Sequence, residues 1–171
     1  KQSVYEHSMR TPLIIAGPGV PSGKSTTAFT YLFDLFPTIA ELAHVSPPPQ
    51  LAGTSLRTLW TGERTSIRDS VFLPFTDSMR AIRDSRFKLI VYPQINHQQL
   101  FDLTKDPSER HDLTGDPRYA AQKAQLMTKL HAWQAKTGDA QPLSVPFPKR
   151  KELITEGYQC KPDAWQPKWI V

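Results

Sequence analysis

The sequence has a single cysteine among its 171 residues, Cys160, so it can form no internal disulfide and no cysteine-based metal cluster. Long apolar runs are also missing. None approaches the ~20 residues that a helix needs to cross a bilayer, so no membrane span is expected. Charge of one sign is not concentrated either. Lys and Arg number 21 against 16 Asp and Glu, a net charge of +5, but the cations are dispersed. The one tight cluster, Lys149-Arg150-Lys151, sits in a proline-rich tail and reads as a solvated segment, so no nucleic-acid partner is expected. An N-terminal signal is absent as well: the chain begins at Lys1, and residues 1–9 hold no apolar core. The natural start is therefore expected to be processed away or absent from this sequence, and the compartment is not readable from the residues.

What remains is ordinary for a globular protein. The 39% hydrophobic, 22% charged and 10% aromatic content, over this length, is enough for a domain with a real core. Glycine is scarce at eight, yet three fall in Gly17-Pro18-Gly19-Val20-Pro21-Ser22-Gly23-Lys24-Ser25-Thr26, which looks like a phosphate-binding loop. The count excludes it. A P-loop needs four residues between its first glycine and Gly-Lys-Ser/Thr, whereas five separate Gly17 from Gly23 and three separate Gly19 from Gly23. Pro18 and Pro21 also remove two backbone donors from the nest. The glycines and prolines are instead punctuation after Leu13-Ile14-Ile15-Ala16, a continuous apolar run that predicts a buried strand ending in a turn.

Leu32, Leu35, Phe36, Ile39, Leu42 and Ala43 recur at helical spacing and predict a helix with one apolar face. Pro37 is tolerated there if the helix starts near Phe33 or Asp34, where the missing donor is a first-turn orphan. Pro47-Pro48-Pro49 forces an extended linker. From residue 70 the texture turns to short β-rich runs at 71–73, 80–83, 87–92 and 99–103, separated by turn material at 84–86 and 93–97, which predicts a small antiparallel sheet of three or four strands. A helix follows, with Asp116 as N-cap, Pro117 first, Tyr119, Leu126, Met127, Leu130 and Trp133 on one face, and Gly138 past its end. The tail beyond is irregular; Trp165 and Trp169 favour its wrapping over a surface rather than disorder. The acidic run Asp102, Asp106, Glu109 and Asp112 lacks the glycine and spacing of a calcium loop and fits cap and turn duty, so no metal ligand is assigned in this chain.

Five strings, in order, resemble the C-terminal part of type I sulfatases, members of the alkaline-phosphatase-like superfamily. The opening Lys1-Gln2-Ser3-Val4-Tyr5-Glu6-His7-Ser8-Met9-Arg10-Thr11-Pro12 is similar to the family segment Gly-Lys-x-x-x-(aromatic)-Glu-x-x-x-Arg-x-Pro. Phe33-Asp34-Leu35-Phe36-Pro37-Thr38 resembles its Asp-x-x-Pro-Thr helix start, and Gly53-Thr54-Ser55-Leu56 its Gly-x-Ser-Leu. Residues 83–88 with Leu100-Phe101-Asp102-Leu103, and then Asp106-Pro107-Ser108-Glu109, resemble its Lys-Leu-Ile, Leu-Tyr-Asp-Leu and Asp-Pro-x-Glu strings. The resemblance runs from Lys1 to about Trp133.

It implies an α/β fold: residues 1–50 as the last strand and helix of the sulfatase core, 51–138 as a subdomain with a small antiparallel sheet packed on a helix, and 139–171 as a tail. It implies hydrolysis of a sulfate ester on a small molecule or glycan. In the family the nucleophile is a formylglycine made from a Cys/Ser-x-Pro-x-Arg motif, assisted by a divalent cation, usually calcium. Neither is expected here. Cys160 is followed by Lys161-Pro162-Asp163-Ala164, without the arginine, and reads as an incidental thiol. Both belong to an upstream part of the same protein, the expected partner, and the chain alone is expected to be inactive. The resemblance carries over Lys1 as the catalytic residue that contacts the sulfate, where an ammonium stabilises charge spreading over the oxygens as the ester bond breaks. His7 could reach substrate or be a satisfied structural histidine. His97, in the loop 93–97, could touch a sugar at a cleft rim, a hairpin loop being the alternative. Glu6 and Arg10 are expected to pair. A periplasmic or secreted location is what the family suggests. Alternatives are a phosphodiesterase or phosphonate hydrolase of the same superfamily, and a non-catalytic polyanion-binding or interaction module.

Overall fold

A computed structural model describes residues 3–149 of the chain. Its centre is a four-stranded antiparallel meander, β1 (Val71–Phe75), β2 (Met79–Arg83), β3 (Phe87–Tyr92) and β4 (His97–Asp102), in the order β1-β2-β3-β4. The strands are where β-branched and aromatic residues predict them, and the turns are made by local polar side chains. Between β2 and β3, Asp84 Oδ1 accepts from the backbone of Arg86 at 2.9 Å and Phe87 at 2.7 Å. Between β3 and β4 a 3₁₀ turn at Pro93–Ile95 ends on Asn96 at φ 48°, a left-handed position that asparagine tolerates.

Alternation along β3 divides the core in two. Phe87, Leu89 and Val91 face one side, where they join Phe72, Ile82 and Leu100 under Leu126 and Leu130 of a long helix. Burying each of those leucines is worth ~1.5–3 kcal/mol. The helix runs Ala120–Thr137 after a 3₁₀ turn at Pro117–Tyr119; Asp116 caps the turn by accepting from Arg118 N, and Gly138 ends the helix at φ 70°, as its cap signals predict. On the other side Ile90 joins Leu73, Ala81 and Phe101, covered by the fully buried Val4 of the N-terminal segment.

One residue on each edge strand of this sheet is capped. At β1 the Tyr31 hydroxyl takes both outward groups of Phe72, accepting from its N–H at 2.6 Å and donating to its carbonyl at 2.9 Å. Pro74 offers no N–H next along that edge. At β4 the Asp112 carboxylate accepts from Leu100 N at 3.0 Å, and Leu113 N donates to Leu100 O at 2.8 Å. These contacts occupy the positions that another strand would need.

The remaining body, residues 31–68, is held by one carboxylate. Fully buried Asp34 accepts two hydrogen bonds from Arg68, at 2.6 and 2.7 Å, one from Tyr31 N at 2.6 Å and one from Thr54 N at 2.9 Å. Thr38, one turn on, donates to Asp34 O at 2.6 Å and accepts from Leu56 N at 2.9 Å. Gly53 is what permits the approach: a Cβ there would lie 2.5 Å from the Phe33 carbonyl oxygen. The strings around Asp34-Thr38 and Gly53-Leu56 are thus two halves of one clasp. A helix at Leu35–Leu42 begins as Pro37 requires, with proline at its third position.

That helix presents its faces the unexpected way round. Asp34, Pro37 and Thr38 are buried, while Leu32 (83% exposed), Phe36 (55%) and Ile39 (63%) are open. The run at 13–16 corrects the expectation of a buried strand. It forms no strand and has no ladder partner in the sheet of the described residues, and Ile14 is 90% exposed. The glycine-rich loop after it forms turns, with Gly19 and Gly23 at positive φ, and no helix opens at Lys24. At the other end, residues 139–149 are pinned down. Asp139 receives two hydrogen bonds from Arg80 on β2, at 2.8 and 2.9 Å, and Val145 exchanges two bonds of 2.8 Å with the Asn96 amide. Cys160, Trp165 and Trp169 lie outside the described residues.

Candidate functional site

The N-terminal segment crosses the face of the sheet opposite the long helix, anchored by Val4, and breaks into a single helical turn at Glu6–Met9. Tyr5 sets its register. Its hydroxyl donates to Gln99 Oε1 at 2.6 Å and lies 3.0 Å from the Tyr92 hydroxyl, which donates to the same Gln99 oxygen at 2.8 Å. Burial, followed by the hydrogen bond with Tyr5, pushes the Tyr92 phenol far above its ordinary value, so Tyr92 stays a neutral hydroxyl.

This row joins the two histidines singled out by sequence. His7 is exposed and stacks on Tyr5, ring centroids 5.9 Å apart. His97 is the first residue of β4, paired in register with Tyr92, and their rings are 5.7 Å apart. The sequence places His97 in a loop; the structure corrects this, since the 3₁₀ turn ends the loop at Asn96. The His7–Tyr5 and Tyr92–His97 ring pairs form an aromatic row on the sheet face, joined at its middle through the two tyrosine hydroxyls. Lys1 lies outside the described residues.

Beneath the helical turn is a charged cluster. Lys88 is fully buried in the middle of β3, its Nζ 2.9 Å from Glu109 Oε1 and 3.1 Å from Glu6 Oε1. Arg83 Nε lies 3.1 Å from the same Glu6 oxygen, so two cations meet two carboxylates and the cluster is neutral. Glu109 Oε2 also accepts from Glu6 N at 2.6 Å. To aim inward Glu109 sits at φ 54°, a left-handed conformation costing a non-glycine residue about 1–3 kcal/mol. Glu6, His7, Arg10, Pro107, Ser108 and Glu109 line an open cleft of ≈ 450 Å³ above it.

The expected Glu6–Arg10 pair is therefore replaced. The helical turn ends at Met9 and Arg10 is its extended cap, so the two meet only through the backbone, Arg10 N donating to Glu6 O at 2.8 Å, and the buried lysine takes the Glu6 carboxylate instead. Of the acidic run, Asp102, Asp106 and Asp112 do accept turn and cap hydrogen bonds, while Glu109 belongs to the cluster. Lys88 and Glu109 were legible only indirectly. A lysine on an inward position of Phe87-Lys88-Leu89-Ile90-Val91-Tyr92 must find a carboxylate, but nothing local says which. Among the described residues no group of three His, Cys, Asp or Glu is arranged to hold a metal ion. No helix among them is long and apolar enough to cross a membrane.

Residues 1–136, which take in the Asp34 clasp, the sheet, the aromatic row and the helix, match the family described as N-sulphoglucosamine sulphohydrolase, C-terminal. The chain belongs to the sulfatase family. This sulfatase chain is 30% identical over 168 residues to the Delta 4,5-hexuronate-2-O-sulfatase of Bacteroides thetaiotaomicron, a match covering 91% of the chain and 35% of that relative. It superposes with TM-score 0.71 and 29% identity on the phosphonate monoester hydrolase from Silicibacter pomeroyi, covering 82% of the chain and 32% of that structure. A structure in complex with its substrate D-glucosamine-2-N,6-O-disulfate shares the fold, with TM-score 0.67 and 24% identity over 72% of the chain and 28% of its own. The sulfatase chain thus spans about a third of the proteins it matches, and its architecture is that of the C-terminal portion of an alkaline-phosphatase-like α/β enzyme.

Proposed function

We propose that the protein carrying this chain hydrolyses sulfate esters on a small molecule or glycan, with this chain as its C-terminal part. The observation that carries the reading is the family match across residues 1–136, at the C-terminal position of sulfatases. The chain's share of the chemistry would be on the substrate side. Lys1 would contact the sulfate, stabilising negative charge as the S–O bond to the leaving oxygen breaks. His7 and His97, at the two ends of the aromatic row, would face the organic part of the substrate.

Nucleophile and cation would come from upstream. The carboxylates that could hold calcium here are already committed: Asp102 to Arg86 and Thr104, Asp106 and Asp112 to backbone amides, and Glu6 and Glu109 to Lys88. They do not fit a cation site. In this reading the formylglycine and calcium would lie in the upstream part of the protein, and the chain alone would be inactive. The open apolar face of the Leu35–Leu42 helix, with Ile14 beside the glycine turns in sequence, would be where that upstream α/β core packs. Residues 1–50 would then belong to the core, 51–138 to a subdomain and 139–171 to a tail.

A second reading rests on the superposition with the phosphonate monoester hydrolase. The full-length protein assayed on an aryl sulfate and an aryl phosphonate monoester separates the two. Preference for the sulfate, with a Cys/Ser-x-Pro-x-Arg motif upstream, supports the sulfatase reading; preference for the phosphonate replaces it with the second.

A further inference from the structure

The buried cluster under the N-terminal turn has a feature that simple stability does not require. Lys88 occupies an inward position of the central strand β3 that an apolar residue would fill without any need for partners. Its two carboxylates come from segments distant in sequence, the turn at Glu6–Met9 and the loop at Glu109. Glu109 reaches it from a strained backbone, and its second oxygen holds the Glu6 N–H at 2.6 Å. Two of these contacts fall directly on residue 6, next to His7 and at the floor of the cleft that His7 and Arg10 line, and the Lys88–Glu109 pair joins the two groups that make them.

We propose that Glu109 and Lys88 are positioning residues that fix the helical turn bearing His7 against the sheet and so set the substrate-side wall of the cleft. The inference rests on the sulfatase reading for what the wall is used for, but not for the clamp itself. The clamp works in two linked steps. Lys88 sits between Glu6 and Glu109, which would otherwise repel each other at the cleft floor, while Arg83 supplies the second positive charge at Glu6. Glu109 then ties the backbone of the turn directly, so that His7 is held from below as Tyr5 holds it from the side. Substrate groups held within an ångström are the kind whose displacement from a distance costs about a hundredfold in rate.

The test uses the full-length protein with Glu109→Gln, which keeps an acceptor for Glu6 N but removes the charge facing Lys88, and Lys88→Met, which fills the same space without charge. Amide hydrogen exchange and aryl sulfate kinetics are read at a temperature where circular dichroism shows each variant folded. The expected result is faster exchange at residues 6–10, unchanged protection at 89–91 and 126–130, and kcat/KM lowered about a hundredfold. If Lys88→Met does not fold, Glu109→Gln decides alone. Exchange at residues 6–10 that matches wild type, or activity loss that only tracks the folded fraction, overturns the proposal. A wild type without sulfatase activity would sink the functional reading, while the exchange measurement would still decide the clamp.

Discussion

Asp34→Asn removes one charge and almost no volume from a fully buried side chain that accepts four hydrogen bonds. Burial alone would raise the Asp34 pKa, but the Arg68 hydrogen bonds, then those from Tyr31 and Thr54 backbone, outweigh it and hold the carboxyl below its ordinary value. In the variant the guanidinium keeps its place, because it also donates to Phe29 O at 2.9 Å and stacks over Tyr31 at 4.8 Å, with its side chain only 9% exposed. It becomes an unpaired buried cation. Breaking such a pair from one side costs about 3–5 kcal/mol, a third or more of a typical domain's total stability. Arg68→Met should cost a similar amount by leaving the carboxylate alone, whereas the double variant buries neither charge and should fall short of the sum by roughly 1–3 kcal/mol. Urea unfolding of the four proteins gives the cycle. A single-variant loss under about 1 kcal/mol, or strict additivity, would show that Asp34 is not what holds residues 31–68 together.

Gly53→Ala should destabilise by about 1–3 kcal/mol, since its Cβ meets the Phe33 carbonyl and not a flexible side chain; a thermal midpoint equal to wild type would contradict the close approach. Stability should fall as pH drops from about 4 to 2. Asp102, lowered to about 2 chiefly by its Arg86 hydrogen bonds, and Asp34 and Asp139, also lowered, are depressed relative to the unfolded chain, so what they contribute is present above the unfolded pKa and lost on protonation. Denaturant midpoints flat across that window would refute this. Ile39→Lys, on the open face of its helix, should cost the full-length protein about 1.5–3 kcal/mol if that face packs on the upstream core, against at most about 0.5 for a solvated position.

How far the sequence could be read depends on the range of each interaction. The four strands, the Asp116 cap and the Gly138 stop are local: alternation, turn residues and cap chemistry lie within a few residues of one another, and the structure places them as read. The helix at Leu35–Leu42 was also legible, yet its orientation was not. Periodicity reports that Phe36 and Ile39 share a face, and only the pairing of Asp34 and Thr38 with residues 54–68 decides that the polar side turns inward. Residues 13–16 read as a strand from composition, but a strand exists only with a ladder partner, and no strand of the sheet pairs with them. At the site, His7 and His97 were named from chemistry, while the tyrosine row that joins them spans 87 to 94 residues of sequence separation and carries no local signal. Sequence separation also hid the partnership of Lys88 with Glu6, 82 residues away, and Glu109, though nearer, lies beyond β4 with no local pattern linking the two. A charge at an inward strand position announces that a partner must exist without saying where it is.

Lys1→Ala in the full-length protein tests most directly the proposal that this chain serves sulfate ester hydrolysis. A lysine that meets charge developing on the sulfate oxygens stabilises the transition state more than the bound substrate, so kcat/KM on an aryl sulfate should fall by roughly two to three orders of magnitude, about 3–4 kcal/mol, with stability nearly unchanged. Lys1→Arg should recover only part, the planar guanidinium replacing a compact point charge. Turnover of the aryl sulfate at the wild-type rate by Lys1→Ala would contradict the account, leaving a sulfatase-family fold without the substrate contact proposed for it.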